Sequence, residues 1–379
     1  MRVVIAKKLL STVGGSEALV RGLERELRVL GHDVTLVGLR PAWPRPGVPA
    51  AALVAPPGLV TVRANGTHFV FIPVKGGRVG AAIDGLLPTS LVRAEDLRRA
   101  VAGADVVHSV AREWARPLER AAREADAAFV ETPLVHPGQP FSGAGANDLA
   151  RYRRDDAVIA LTEWEAGWYR AHGVPRVYVT GVGPTLHQLP EVERDRATVL
   201  FVGRRERYKG YHALRASARL VWAERPDARF LTIGQAAWNA ILDRDLNDPR
   251  WIDRGLVTEE EKADAYARAT IFAMPSDHET FGKTCLEAWS AGPPVIAGDI
   301  PPLQEVVREG IDGLHVANEP RAIADAILVL LSDPDRARRM GAAGRERLRR
   351  EFSWPAVATR TQTAYEAAIS TRDGRRVRM

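Results

Sequence analysis

Glu279 and Glu287 stand eight positions apart in PSDHETFGKTCLEAWSAG, residues 275–292, across a glycine and the start of a helical pattern. The apolar run IFAM before them (271–274) predicts a short buried strand, residues 275–282 a loop, and 283–291 a helix stopped by Gly292 and Pro293. A strand that feeds a helix through a loop leaves backbone N–H groups free at the helix start, where an anion such as a phosphate is well held. A carboxylate beside a phosphate needs hydroxyl donors instead, such as those of a sugar or a ribose. The spacing outlines a pocket for a sugar nucleotide.

Other segments carry complementary groups. FVGRRERYKG (201–210) places Arg204 and Lys209 just after a buried strand, where both can reach a diphosphate; the bland alternative is a pair of solvated basic side chains. Gly14–Gly15 lies between the first strand and a helix that Ser16 can cap, so the backbone there can approach a phosphate or an acceptor closely, or simply turn tightly. The full G-x-G-x-x-G spacing is missing, which argues against a dinucleotide site. His136 follows the strand-like AAFVET in TPLVHPG, at a strand's C-terminal edge. The sequence has no H-E-x-x-H and no G-x-S-x-G. Asp105, His108 and Ser109 share one strand, whose alternation sends neighbours to opposite faces and argues against a triad.

Strands alternate with helices along the whole chain, which predicts α/β architecture with parallel, doubly wound sheets. Residues 3–6, 33–39, 70–74, 105–110, 127–132 and 157–162 read as strands, and 16–30, 94–102 and 117–124 as helices, the first with Leu19, Val20, Leu23, Leu27 and Leu30 on one face. The proline-rich stretch 41–57 reads as a surface loop. After VYVTGVGP (177–184) the polar segment 185–197 breaks the pattern. A second series then begins, with strands 198–203, 229–234, 294–298 and 313–316, helices 211–224 and 259–268, and a long final helix, 355–370. The expected organisation is an N-terminal domain (1–185, with 355–379 crossing back) and a C-terminal domain (194–354), two Rossmann-like halves facing a cleft between them.

The 379 residues are too many for one ordinary core, and 46% hydrophobic with 26% charged residues is ordinary for a globular chain. One cysteine, Cys285, excludes an internal disulfide framework and a cysteine-rich metal site. No apolar run approaches the roughly 20 residues of a membrane helix, and the N-terminus reads straight into a strand without a signal region. The expected residence is cytoplasmic, with at most a weak peripheral membrane contact near Arg93, Arg98 and Arg99. A net charge of +6 favours anionic partners. Nucleic acid is not expected, because the basic residues are not interleaved with aromatics in any recognised module.

FVGRRERYKG, the long stretch from WIDRGLV through ETFGKTCLEAWSAGPPVIAG, and GIDGLHV together resemble the retaining glycosyltransferases of family 4, which have the GT-B fold. The start, VGGSE with LGHDVTLVG, resembles them more loosely. The resemblance implies transfer of a hexose-type sugar from a nucleotide diphosphate to an acceptor hydroxyl with retention at the anomeric carbon. It implies Arg204 and Lys209 on the diphosphate, Glu279 on the donor sugar, Glu287 on the ribose, and Thr280, Phe281 and Gly282 as the turn over sugar and phosphate. Leu256 and Val257 match the segment lining the nucleobase, Gly15 the N-domain glycine loop, and His136 a histidine near the donor sugar, although its flanks (ETPLVHPGQ) depart from the commoner pattern. Lys283 stands where many relatives have an apolar or small residue, either as a donor contact or as a solvated helix residue. No cofactor is implied and no metal is expected, because two cations can serve the diphosphate. An epimerase or phosphorylase of the same fold is the alternative enzyme, and a binding protein without catalysis the remaining one. The loop 41–57 and the segment 141–147 are candidate acceptor walls; donor, acceptor and oligomeric state stay open.

Overall fold

The computed structural model describes residues 1–11, 14–54, 58–76, 80, 91–135, 143–186, 188–235 and 248–377. His136, residues 141–142 of the candidate acceptor wall and residues 55–57 of the proline-rich stretch lie outside the described residues. The chain divides into two compact units, Met1–Gly181 with Trp354–Met379, and Val182–Ser353.

Among the described residues the first unit holds eight strands: β1 (Arg2–Ala6), β2 (Asp33–Leu39), β3 (Val60–Ala64), β4 (Thr67–Ile72), β5 (Val106–Val110), β6 (Ala128–Thr132), β7 (Ala157–Ala160) and β8 (Val177–Val179). Their order is β3-β4-β2-β1-β5-β6-β7-β8. β5 is buried at every position and β1 at every position but Arg2, as in a sheet covered on both faces. The sequence predicts a parallel sheet, but β3 runs antiparallel to β4. Asn65 and Gly66, both at positive φ (50° and 77°), make the tight turn between them, the conformation a two-residue hairpin demands.

Several local expectations change. The first helix is Gly15–Val29, so Ser16 lies inside it and its hydroxyl bonds Glu17 Oε2 (2.9 Å) instead of capping the backbone. Leu19, Val20, Leu23 and Leu27 are buried, but Leu30 falls past the helix end and is exposed. Within 41–57 a short helix, Ala51–Val54, is tied down by Arg40, which donates to the Ala52 and Leu53 carbonyls. Residues 146–147 of the candidate acceptor wall begin the helix Ala146–Arg154. The final helix is longer than its sequence pattern, Trp354–Arg376, and completes the first unit: the Trp354 ring fills the space beside Gly22, and Tyr365 Oη meets His108 Nδ1 at 2.7 Å.

The second unit, described by itself, has six parallel strands among the described residues: β9 (Thr198–Val202), β10 (Arg229–Ile233), β11 (Trp251–Gly255), β12 (Ile271–Met274), β13 (Val295–Gly298) and β14 (Gly313–Val316), in the order β11-β10-β9-β12-β13-β14. One face packs Phe201, Phe230 and Ile296 against Leu214 and Trp222 of the helix Tyr211–Glu224 and Ile327 of the helix Pro320–Ser332. The helix Glu259–Arg268 starts at a reciprocal cap. Glu261 N donates to Thr258 Oγ1 (3.2 Å) and Thr258 N to Glu261 Oε2 (2.8 Å), the T-x-x-E signature of the sequence.

Candidate functional site

The second sheet grows outward from β9 through β10 and β11, then restarts on the other side with β12. Ligands of open α/β sheets bind at the C-terminal ends of the strands flanking such a reversal. Here those ends release residues 203–210 after β9 and residues 275–282 after β12. The two loops are stitched together through one carbonyl: Tyr208 O accepts from Asp277 N (2.7 Å) and Ser276 Oγ (2.9 Å). Asn318 adds a second tie, donating to Asp277 Oδ2 (2.5 Å) and to Arg207 O (3.3 Å).

That stitching sets Lys209 against Glu279, with Nζ 2.5 Å from Oε1 and both side chains largely covered. Lys209 ends a single turn, Arg207–Lys209, and Gly210 then takes a left-handed conformation (φ 76°) to open the helix Tyr211–Glu224. Arg204 does not join the same contact. It is exposed, pairs with Glu206 Oε1 (3.1 Å), and bonds the Tyr208 hydroxyl. Both cations share the Tyr208 ring, Arg204 Cζ at 5.5 Å and Lys209 Nζ at 5.2 Å from its centroid. Burial is the main reason that the Tyr208 phenol is pushed up to about 12, which keeps it a neutral hydrogen-bond donor.

Glu287 lies on the helix Lys283–Ala291 and is only 1% exposed. Its Oε1 accepts from Lys283 Nζ (2.9 Å) and from the Thr185 hydroxyl, and its Oε2 from Tyr266 Oη (3.1 Å). Lys283 Nζ also bonds Thr185 Oγ1 (3.0 Å). Burial alone raises a carboxyl's pKa, yet Glu287 is held below the usual range because the charges of Lys283 and Lys262 and the bonds from Thr185 and Lys283 outweigh it. It is therefore a charged acceptor at neutral pH. Lys283 is thus a partner of Glu287, not a freely solvated residue.

The remaining expected positions fall in three groups. Thr280 and Gly282 lie in the turn; Gly282 is left-handed (φ 82°) and caps the helix, while Phe281 turns inward and meets the Phe352 ring edge-on at 5.4 Å, anchoring the turn from below. Leu256 is exposed at 76%. Val257 lines a cavity of about 450 Å³ with Leu231, Ile233, Ile252 and Ala265, between the β10–β11 face and the helix Glu259–Arg268. Neither the two acids nor Arg204 and Lys209 line that cavity. In the first unit, the backbone demand falls on Gly14 (φ 122°) and not on Gly15, which has open space around it. Glu17 sits beside that helix start, 3.5 Å from Lys7 Nζ, so a carboxylate already answers the helix N-terminus. His136 has no described position.

Three groups of the site went unread in the sequence. Tyr208 was readable as the aromatic between two cations in RRERYKG. Tyr266 and Thr185 reach Glu287 across 21 and 102 positions, and no local pattern marks such a contact.

Two α/β units, the first on a mixed sheet and the second on a parallel one with a cation and two carboxylates at its strand reversal, have the GT-B fold. Residues 185–347 match the family described as glycosyl transferases group 1. It is 34% identical over 205 residues to an alpha-maltose-1-phosphate synthase of Mycolicibacterium smegmatis (50% of this chain, 53% of that protein). To a D-inositol 3-phosphate glycosyltransferase of Thermobispora bispora it is 31% identical over 46% of this chain and 44% of that protein. The chain thus spans about half the length of these curated relatives in its alignments to them. A glycogen synthase of Mycobacterium tuberculosis aligns over 94% of this chain and 92% of its own length at 28% identity. Among solved structures, sucrose-phosphate synthase from Thermosynechococcus elongatus has the same fold, with a TM-score of 0.75 at 20% identity over 97% of this chain and 99% of that one. So has the Anabaena protein HepE in complex with UDP and glucose (TM-score 0.73, 14% identity, 97% and 100%). Among the described residues no helix is long and apolar enough to cross a membrane.

Proposed function

We propose that this chain transfers a hexose-type sugar from a nucleotide diphosphate to an acceptor hydroxyl with retention at the anomeric carbon. The observation that carries the reading is the Lys209–Glu279 contact at the strand reversal, with charged Glu287 on the helix that follows the same turn. A nucleotide sugar offers what each group lacks: phosphate oxygens for Lys209 and Arg204, sugar hydroxyls for Glu279, ribose hydroxyls for Glu287. In this reading the bond between the anomeric carbon and the phosphate oxygen breaks while the acceptor oxygen bonds that carbon on the same face. The acceptor's proton passes to the leaving phosphate oxygen. Lys209, Arg204 and the amides at the start of the helix Lys283–Ala291 stabilise the charge that develops on the diphosphate, where fixed dipoles and cations lower a barrier most. Those groups take the place of a metal in this reading. HepE, solved with UDP and glucose, supports a nucleotide sugar as donor, and cytoplasmic residence remains part of the proposal.

The test is a thermal-shift screen of UDP-, GDP-, ADP- and TDP-sugars, followed by transfer assays with the donor that stabilises the protein. A ligand bound only by the native state raises the melting temperature. A donor that stabilises the chain and is turned over only with an acceptor supports transfer; conversion of donor alone to an epimer overturns it, and so does a screen without a stabilising nucleotide.

A further inference from the structure

We propose that Lys283 is a third cation for the donor's diphosphate, parked on Glu287 until the nucleotide's ribose takes that carboxylate. The inference rests on the reading of this site as a nucleotide-sugar pocket.

Glu287 is already well served. Lys283, Thr185 and Tyr266 fill three of the roughly four acceptor positions a carboxylate offers. Gripping two ribose hydroxyls therefore requires an existing partner to leave. Tyr266 is fully buried in the helix Glu259–Arg268 and cannot move without disturbing the core, and Thr185 is short. Lys283 has a long, flexible side chain that is 20% exposed, which makes it the partner able to leave.

Lys283 is also oddly placed for a purely structural ion pair. It is the first residue of the helix Lys283–Ala291, where the helix dipole disfavours a cation and favours an anion. With Glu287 it forms an i,i+4 pair in the Lys-before-Glu order, the weaker of the two orders. The position is costly for a surface lysine and favourable for one that meets a phosphate at the helix start.

The same arrangement repeats through the site. Arg204 holds Glu206 at 3.1 Å, Lys209 holds Glu279 at 2.5 Å, and Lys283 holds Glu287 at 2.9 Å. Three cations and three carboxylates leave the set neutral. An anion alone would strip a cation from buried Glu287 and leave an unpaired charge there. A polyol alone would leave the cations without partners. A nucleotide sugar brings phosphate and hydroxyls together, so the pairs exchange partners in one binding event.

The experiment uses the full chain and whichever of UDP, GDP, ADP and TDP binds it, compared by calorimetry with the corresponding nucleoside. Lys283→Gln is expected to weaken the diphosphate by about ten- to a hundredfold, the range for a charge-assisted hydrogen bond, and to leave the nucleoside unchanged or tighter. Lys283→Arg should recover part of the loss. Equal weakening of diphosphate and nucleoside would assign Lys283 to support of Glu287 alone and overturn the proposal; so would an unchanged diphosphate affinity. If Lys283→Gln unfolds by leaving Glu287 unpaired, the double variant Lys283→Gln, Glu287→Gln removes that charge, and the loss specific to the diphosphate should persist in it. A wild-type chain that binds none of the four diphosphates overturns the reading of the site itself, a result distinct from a wild type that binds and a variant that does not differ.

Discussion

A β-carbon on Gly210 would overlap the carbonyl oxygen of Pro275. This contact, together with the bonds to Tyr208 O, is what lets the loop after β9 close on the loop after β12. Gly210→Ala must therefore both strain a left-handed residue and pry the loops apart. A cost of at least about 1–3 kcal/mol is expected, the range for a residue forced into such a region. Denaturant unfolding should read the loss, and donor affinity should fall with it as Lys209 moves from Glu279. Unchanged stability would mean the loops adjust independently.

Lys209 and Arg204 should not contribute equally. Lys209 is covered and fixed on Glu279, whereas Arg204 is exposed and held by Glu206 and Tyr208. Exposed charges are screened and poorly ordered, so Lys209→Ala is expected to weaken nucleoside diphosphate binding by about tenfold or more, and Arg204→Ala by less. Titration calorimetry on both variants checks the order, and a larger loss for Arg204 would contradict the placement.

Glu279→Gln keeps the shape of the acid and removes its charge. Transfer is expected to drop about ten- to a hundredfold, because hydrogen bonds to a charged group contribute roughly 1.5–3 kcal/mol. Steady-state kcat/KM with the identified donor is the measurement. Near-wild-type transfer would remove Glu279 from the reacting sugar.

The first unit carries buried groups that make its stability depend on pH. Glu165, on the helix Glu163–Ala171, is pushed up to about 7 by burial, against the bonds it accepts from Leu161 N and Tyr169 Oη. Its folded pKa lies above its unfolded one, so the native state binds a proton that the unfolded chain releases. That contribution is present below about pH 4.5 and lost as pH rises through about 7. Buried His108 acts oppositely: burial holds it down to about 3, so stability is lost as pH falls from about 6.5 towards 3. The two effects oppose each other between them, and a variant is needed to separate them. Glu165→Gln should flatten the decline between about pH 5 and 8 and raise the denaturation midpoint at pH 8 relative to pH 5. Parallel pH curves for variant and wild type would contradict the assignment.

Most of the second unit was legible because its signals are local. The helices 211–224, 259–268 and 283–291 begin just after Gly210, Thr258 and Gly282, and the last stops at Gly292. The hairpin at Asn65–Gly66 was equally local and went unread, because the apolar alternation around it is short and follows a proline-rich stretch. What could not be read was partnership. Lys209 with Glu279 is a pair separated by 70 positions, and Thr185 with Glu287 by 102. The E-x7-E spacing gives the acids their places on loop and helix. Which cation neutralises which acid depends on how two loops are bonded to Tyr208, and that is tertiary geometry.

The first unit is assembled from two pieces of chain that are far apart in sequence, with all of Val182–Ser353 between them. During synthesis the second sheet is complete in the chain before the helix Trp354–Arg376 exists. Until that helix is made, Gly22 has no indole beside it and the His108 ring has no Tyr365 hydroxyl to meet. Gly22 and His108 thus wait on Trp354 and Tyr365, and the second sheet is the part of the molecule that can mature while they wait.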